Sequence, residues 1–285
     1  MGLHPNSKAM FGSQHVRTNP LDCAVQSRDK HTLDMVEAAL RHKETMLAFQ
    51  PIVARNTPNK AVMYEGLIRV LDATGRIIPA KDFMPVVEDL EIGRMIDCVA
   101  LELGLQSLTV QPDLRLSINM SARSVGYQPW MRTLETGLRA DPTVGERLIL
   151  EITESSAMLL PEVVISFMAQ MQNHGIAFAM DDFGAGYTSF RYLRDFMFDI
   201  IKIDGTFIRG VARDPDNQVL LAALMSIAEQ FDMLTIAESI ETVEDDAYLR
   251  ATPIDCLQGY FYGAPTISPP WRQTDRKRAR SRRTA

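Results

Sequence analysis

Acidic and amide side chains recur at or near the ends of short apolar segments in this 285-residue chain. Asp181 and Asp182 are adjacent at the end of one such segment. Lys202 and Asp204 stand two residues apart in the next segment, which places them on one face of a strand. Carboxylate and amide oxygens are the ligands that Mg²⁺ and Mn²⁺ prefer, and a buried lysine needs carboxylates or a phosphate nearby. The pattern predicts a metal-and-phosphate site built from Glu65, Asn119, Glu151, Asp181, Asp182, Lys202, Glu238 and Gln258.

Several of these residues also have an ordinary structural explanation. One aspartate of the doublet, or Asn119, could cap the helix that follows its strand. Glu241 follows Glu238 at the expected start of a helix, where acidic residues are common. Gln258 is a weak signal by itself. Metal binding is favoured because two adjacent aspartates accompany three further acidic strand ends.

The apolar segments themselves predict the strands that would position this site, at 46–53, 62–70, 115–120, 147–153, 176–182, 198–204, 233–239 and 254–260. Helical periodicity is expected around Leu33, Val36 and Leu40, and then at about 82–108, 122–140, 160–174, 188–196, 215–231 and 242–250. This alternation predicts a TIM-type (β/α)8 barrel with its functional groups at the C-terminal strand ends. Only residues 54–61 separate the first two strands, which is too short for a parallel crossover. The first strand is therefore expected to be antiparallel to the others.

Composition divides the chain into a polar leader at 1–30, the barrel at 31–268 and a basic tail at 269–285. Because the tail is short and rich in arginine, it is expected to be solvated and flexible, with a lesser option of contact with an anionic surface. The net charge of −6 combines a basic C-terminal end with an acidic remainder, and this acidic body argues against a general DNA or RNA binder. No apolar run approaches the ~20 residues of a membrane span, and no secretory signal is evident. Three cysteines without paired or zinc-site spacing suit a reducing cytoplasm.

Eight sequence strings then resemble a known family. FQPIV, YEGLIR, INMSARS, LEITES, DDFGAGYTSFRYL, IKID, AESIET and LQGYFYGAP occur in the order typical of the EAL domain, over about residues 33–268. The resemblance implies a metal-dependent phosphodiesterase that opens cyclic di-GMP to linear pGpG. It also implies two Mg²⁺ or Mn²⁺ ions in each active site, a homodimer, and a barrel with one antiparallel strand.

The resemblance further implies a role for each site residue. The ligands of one ion would be Glu65, Asn119, Glu151 and Asp181, and those reaching the second would be Asp181 and Asp182. The attacking water would be oriented and deprotonated by Lys202 and Glu238. Substrate contacts, including a phosphate contact from the arginine, would come from Gln50, Leu67, Arg69 and Gln258, the last also supporting the second-metal side. Support of the catalytic loop at 182–190, which lies near the usual dimer contact, would come from Glu154, Asp204 and Glu241.

Three positions depart from the family pattern. Gly66 replaces the alanine of the name motif, Val70 stands where an aromatic residue often follows, and Ala185 replaces a frequent threonine. Because Gly66 removes no ligand, Gly66→Ala is expected to keep activity and to raise stability if the backbone angles suit alanine. The alternatives are a catalytically silent cyclic di-GMP receptor, an enolase-like lyase, and a scaffold that binds a partner through its tail. A silent receptor would be expected to lose ligands or the base, and this chain keeps them.

Overall fold

One closed sheet organises the computed structural model, which describes residues 19–185 and 193–272. Its strands are β1 (Thr45–Ala54), β2 (Thr57–Leu71), β3 (Ile77–Pro79), β4 (Leu116–Asn119), β5 (Leu148–Thr153), β6 (Ala177–Phe183), β7 (Ile200–Ile203), β8 (Leu234–Ala237) and β9 (Cys256–Gln258). Strand β2 and strands β4 to β9 are parallel neighbours, and β1 closes the ring by antiparallel pairing with both β2 and β9. The predicted eight-stranded barrel and its antiparallel first strand are confirmed.

Helices cover the outside of this barrel. In the described ranges they are α1 (Pro20–His42), α2 (Met84–Val87), α3 (Glu91–Val110), α4 (Gln128–Ala140), α5 (Glu154–Ala157), α6 (Pro161–Gln172), α7 (Gly205–Ile208), α8 (Pro215–Gln230) and α9 (Val243–Arg250). Short 3₁₀ turns lie at Ala80–Asp82, Ala122–Ser124, Pro142–Arg147 and Val211–Arg213. None of the helices in the part of the chain that the structure describes has the length and hydropathy needed to cross a membrane.

Described residues outside both predicted boundaries of the barrel form a helix or pack on the barrel. Helix α1 begins at Pro20, with the Asn19 side chain accepting a hydrogen bond from the Leu21 amide, so residues 20–30 are helical rather than part of a leader. At the other end, Trp271 packs edge-to-face on Phe49 and Tyr64, with ring centroids 5.3 and 4.7 Å apart. Residues up to 272 therefore belong with the barrel. The rest of the predicted leader and tail, and most of the helix expected at 188–196, lie outside the described residues.

Strand β3 is an element that the sequence analysis missed. It pairs antiparallel with the end of β2, from Arg69↔Pro79 to Leu71↔Ile77, and therefore extends a hairpin beyond the barrel wall. The segment is only three residues long, which is too short to show a period of two. The predicted turn between β1 and β2 is also shorter than expected, because the two strands extend to Ala54 and Thr57.

Side chains inside the barrel form an apolar layer beneath a polar one. The apolar layer consists of Ile52, Met63, Ile149, Ala179, Ile200, Ile236 and Cys256. Successive strand residues face opposite sides, so the next inward position lies two residues further along each parallel strand and two residues earlier on β1. Those next positions are Gln50, Glu65, Glu151, Asp181, Lys202, Glu238 and Gln258. The alternation of the strands therefore stacks the predicted site directly on an apolar plug.

Gly66 lies on the outer face of β2, where the side chain of Ile118 fills the space beside it. A Cβ atom at Gly66 would lie 2.7 Å from Ile118 Cδ1, and a Cβ atom at Gly104 of α3 would lie 2.9 Å from the same atom. Ile118 is only 1% exposed, so it has little room to move. This packing argues against the expected gain in stability of Gly66→Ala, because the obstacle is a neighbouring side chain and not the backbone angles.

Candidate metal and phosphate site

Lys202 lies at the centre of the polar layer, and its side chain is only 1% exposed. Its Nζ atom is 2.7 Å from Glu238 Oε1, 2.9 Å from Asp181 Oδ1, 3.1 Å from Glu151 Oε2 and 3.5 Å from Glu65 Oε2. A buried ammonium is costly unless it is paired, and here four carboxylates from different strands converge on it. The structure therefore brings together the acidic strand ends and the lysine that the sequence singled out.

Two amides hold Glu65 in place. Asn119 Nδ2 donates to Glu65 Oε1 at 3.0 Å, and Gln258 Nε2 donates to Glu65 Oε2 at 2.6 Å. Asn119 ends β4, which is parallel to β2, whereas Gln258 ends β9 on the far side of β1. The two oxygens of one carboxylate are thus oriented from two sides of the barrel.

The aspartate doublet lies in a β-bulge of β6. Met180 pairs with Ile201 and Phe183 pairs with Ile203, so Asp181 and Asp182 together oppose Lys202 alone. Asp182 has φ 55°, a left-handed conformation that aspartate tolerates better than most residues. The sequence analysis placed the doublet at the end of its strand, whereas β6 continues through the doublet to Phe183.

Because of the bulge, the side chains of the adjacent residues Asp181 and Asp182 both face the same site. One carboxylate oxygen each from Asp181, Asp182 and Glu238 lie within 4.8 Å of one another. Without the bulge, two successive strand residues would face opposite sides of the sheet.

The charges of Lys202 and Glu65 stabilise each other. Burial lowers the pKa of Lys202, but Asp181, Glu151 and the other two carboxylates outweigh it and leave that pKa well above its usual value. Burial likewise acts to raise the pKa of Glu65. Lys202 and the hydrogen bonds from Gln258 and Asn119 overcome this effect and lower the pKa. Both groups are therefore charged at neutral pH.

Three other carboxyl groups of the site have raised pKa values. Burial raises the pKa of Glu151 well above its usual value, because Lys202 offsets it only in part and the neighbouring carboxylates add to it. Burial also raises the pKa of Glu238 to about 8 and, together with the neighbouring Asp181, that of Asp182 to about 6. Burial is the largest cause for all three pKa values, and a surplus of negative charge adds to it, since five carboxylates share one ammonium group.

The residues fit divalent cations. Cations would neutralise the surplus that raises these pKa values, and the donor set is almost entirely oxygen, as hard cations require. In addition, the buried atoms Glu151 Oε1 and Gln258 Oε1 accept no hydrogen bond from the described residues. A buried acceptor without a donor is costly, so an open oxygen at this position favours a ligand.

A cavity of about 710 Å³ opens beside the site. Its lining includes the site residues Glu65, Leu67, Asn119, Asp181 and Asp182, and it also includes Met84, Asp97, Ser121, Arg123 and Ser156. Its volume lies within the ~300–1,000 Å³ that is usual for small-molecule sites.

The other predicted substrate residues lie near the mouth in different surroundings. Gln50 is buried and its Nε2 donates to the Gly263 carbonyl at 3.4 Å. Arg69 Nη1 donates to its neighbour's carbonyl, at Ile68, at 2.9 Å. Burial lowers the pKa of Arg69, and the nearby Glu65 opposes that shift.

The three predicted loop-support residues have three different environments. Glu154 is buried, and its Oε2 accepts a hydrogen bond from the Gly184 amide at 3.0 Å, directly after the bulge. Asp204 caps α7 by accepting from the Thr206 amide at 2.8 Å. Glu241 is exposed and lies in the loop before α9 instead of at the start of that helix, which Thr242 caps.

Asp97 is a buried residue at the cavity that the sequence analysis missed. It lies on the buried side of α3, and its Oδ2 accepts from the Ser121 amide at 2.9 Å and from Ser124 Oγ at 2.6 Å. Burial raises its pKa to about 6, although these hydrogen bonds oppose the shift. An aspartate next to Ile96 on the apolar stripe of a helix was the available signal, because an acid in that position needs a buried partner.

A TIM-type barrel with an acidic, lysine-centred mouth defines the class of this protein: an α/β barrel with a candidate divalent-metal site. The EAL domain family matches residues 33–265, and the chain belongs to that family.

Curated relatives are much longer than this chain. The cyclic di-GMP phosphodiesterase PdeB of Shewanella oneidensis is 26% identical over 234 residues, which cover 81% of this chain and 27% of PdeB. The cyclic di-GMP phosphodiesterase PdeF of Escherichia coli is 29% identical over 237 residues, which cover 82% of this chain and 31% of PdeF. The chain thus spans less than a third of the length of either relative.

Solved EAL structures resemble nearly all of the barrel. An EAL domain protein from Listeria monocytogenes is 27% identical with a TM-score of 0.74, over 85% of this chain and 96% of that one. The PaMucR phosphodiesterase in complex with c-di-GMP is 26% identical with a TM-score of 0.71, over 83% and 97%. The FimX EAL domain from Pseudomonas aeruginosa, bound to c-di-GMP, is 23% identical with a TM-score of 0.74 and supports the fold.

Proposed function

We propose that this chain is a phosphodiesterase that hydrolyses cyclic di-GMP to linear pGpG with two Mg²⁺ or Mn²⁺ ions. The observation that carries the proposal is the convergence of Glu65, Glu151, Asp181 and Glu238 on Lys202, with Asp182 beside them at the barrel mouth. A site with this surplus of carboxylate oxygen needs cations, and a cyclic dinucleotide has two phosphodiesters that cations would neutralise.

The residues that would hold one ion are Glu65, Asn119, Glu151 and Asp181, while Asp181 and Asp182 would reach the second. When bound, such ions lower the pKa of water and stabilise negative charge on a phosphate. Asn119 and Gln258 orient Glu65 through hydrogen bonds of 3.0 and 2.6 Å, so this carboxylate is preorganised for its role.

Glu238 is the proposed general base, and Lys202 orients it. Glu238 Oε1 lies 2.7 Å from Lys202 Nζ, which fixes the carboxylate at the mouth. A pKa near 8 would leave Glu238 protonated at neutral pH, and neutralising the surrounding carboxylates would lower that pKa and so favour the ionised form that accepts a proton from water. Lys202 keeps its charge throughout, because its pKa is raised well above the usual value.

The substrate would occupy the cavity beside the carboxylates. Leu67 offers an apolar contact in its lining, and Arg69 offers a cation near Glu65 for a phosphate. Gln50 and Gln258 would contact the nucleotide from β1 and β9. The homodimer, the cytoplasmic location and the lack of binding to DNA or RNA stay predictions, and contact of the basic tail with an anionic surface stays the lesser option beside a solvated tail.

The test is product formation from micromolar cyclic di-GMP, followed by chromatography with Mn²⁺ or with excess chelator. The wild type is expected to form pGpG with Mn²⁺ and to stop in chelator. Glu65→Gln is expected to abolish turnover, whereas Glu135→Gln, an exposed control on α4, is expected to retain it. Full activity in chelator contradicts the metal mechanism. Saturable binding without product over hours would assign the chain to the receptor class.

A further inference from the structure

The single-turn helix α5 is hydrogen-bonded to the segments on both of its sides. Ser156 Oγ accepts from the Ala122 amide at 2.8 Å, in the segment after β4. Glu154 Oε2 accepts from the Gly184 amide at 3.0 Å, in the segment after β6. Thr153 caps the turn by accepting from the Ser156 amide at 3.3 Å. One short helix therefore bridges two loops that do not follow each other in the chain.

Asp97 holds the segment after β4 from the opposite side. Its Oδ2 accepts from the Ser121 amide at 2.9 Å and from Ser124 Oγ at 2.6 Å. The amides of Ser121 and Ala122 are thus bound by side chains from α3 and α5. A segment whose backbone donors are bound from two helices has little freedom to shift.

Each bridged segment is continuous with the end of a strand that carries a proposed ligand, Asn119 on β4 and Asp182 on β6. Asn119 lies two residues before Ser121 and donates to Glu65. Asp182 lies two residues before Gly184, at the left-handed position of the bulge. A small displacement of either segment changes the separation between Asn119 and Asp182, on which simultaneous binding of two ions depends.

We infer that Asp97 and Ser156 are positioning residues that, together with Glu154, fix the segment carrying Asn119 relative to the one carrying Asp182. This inference rests on the proposed function, because it assumes that these segments supply metal ligands. Partners of this kind typically change metal affinity by about 10–100-fold when they are removed.

The test compares Ser156→Ala with the conservative Ser156→Thr, which keeps the hydroxyl acceptor. Calorimetric titration with Mn²⁺ alone is expected to give an affinity about 10-fold weaker for Ser156→Ala, and close to the wild type for Ser156→Thr. In the metal-free protein, the Gly184 amide is expected to exchange hydrogen faster in Ser156→Ala, although that amide is bound by Glu154. Faster exchange there reports movement transmitted through α5.

Asp97→Ala has a matched control at the other end of the barrel. Asp255 Oδ2 accepts from the Thr235 amide at 2.9 Å and from Thr235 Oγ1 at 2.8 Å, the same pair of contacts on one carboxylate oxygen. Asp255→Ala is expected to lower stability without changing Mn²⁺ affinity or Gly184 exchange. Asp97→Ala is expected to change both. If it does not fold, Asp97→Asn takes its place. Asparagine keeps the volume and an acceptor oxygen but loses the charge that strengthens both hydrogen bonds, so a smaller change in the same direction is expected.

The possible results distinguish a failure of the positioning role from a failure of the proposed function. If the wild type binds Mn²⁺ and Ser156→Ala binds it within two-fold of the wild type, the inference is overturned while the proposed function stands. If the wild type neither binds Mn²⁺ nor forms pGpG, the proposed function fails. Hydrogen exchange at the Gly184 amide in the metal-free protein then tests by itself whether Ser156 fixes one segment relative to the other. Unchanged exchange in Ser156→Ala overturns the positioning role.

Discussion

Replacing Gly66 by alanine tests how tightly the wall behind the site is packed. The new Cβ atom would lie 2.7 Å from Ile118 Cδ1, whereas carbon atoms prefer about 3.5–4.0 Å. Gly104 bounds the same methyl group from the helix side, with its own Cβ position 2.9 Å away. Ile118 therefore has to leave its rotamer or push the strand. Overpacking of this kind costs about 1–3 kcal/mol in the free energy of unfolding.

Ile118→Val removes the obstructing Cδ1 atom and should rescue Gly66→Ala. Alone, Ile118→Val leaves a small cavity and costs about 0.5–1.5 kcal/mol. In the double variant the alanine methyl occupies the vacated space, so its free energy of unfolding should return to within about 1 kcal/mol of the wild type. The coupling energy between the two sites should therefore lie in the ~0.5–3 kcal/mol range of residues in contact.

The assay is urea unfolding followed by circular dichroism for the wild type, both single variants and the double variant. Ile201→Val on β7, across the barrel from β2, is the matched control, and its effect should add to that of Gly66→Ala. Strict additivity between positions 66 and 118, or a more stable Gly66→Ala, would refute the packing argument. Gly66→Ala should retain the proposed phosphodiesterase activity when folded, because it removes no ligand.

Four further predictions concern the site. Glu238→Gln should lower turnover by at least ~10²-fold while cyclic di-GMP binding, measured by calorimetry, changes only a few-fold; unchanged turnover would move the base role to another residue. The pKa values of Glu238 (about 8) and Asp97 (about 6) are raised, so the folded protein holds more protons than the unfolded chain between about pH 5 and 8. The stability of the metal-free protein, measured by thermal unfolding, should therefore fall as the pH rises through this range. Excess Mn²⁺ should reverse that trend, and a metal-free protein that is most stable at pH 8 would contradict the charge analysis. Glu154→Ala should reduce activity mostly at low metal concentration, and an equal loss at saturating metal would indicate a folding defect. Ca²⁺ should bind but inhibit turnover, since it prefers more ligands in looser geometry; turnover equal to that with Mn²⁺ would be against this.

The barrel and most of its polar layer follow from local sequence patterns. Each strand segment is short, apolar and separated from the next by a helical pattern, and a period of two then decides which side chains face inward. Glu151 and Lys202 could therefore be placed in one site before any contact was known. The antiparallel first strand followed from the length of one connection, because a parallel crossover needs about a dozen residues.

The features that were missed depend on contacts between distant segments. The bulge at Asp181 and Asp182 is a register shift against β7, so it has no signal within β6 itself. Asp97 depends on Ser121 and Ser124, which are brought to it by the packing of α3 on the segment after β4. The packing of Gly66 was missed for the same reason, since a glycine in a strand does not reveal which side chain fills the space beside it.

The central claim is that water, activated at the acidic mouth, opens cyclic di-GMP. The most direct measurement is a reaction in ¹⁸O-labelled water with Mn²⁺, with mass spectrometry of the product. The account predicts pGpG with one ¹⁸O atom in its terminal phosphate, and no product when chelator replaces Mn²⁺. Bound but intact cyclic di-GMP, or pGpG without the label, would contradict it.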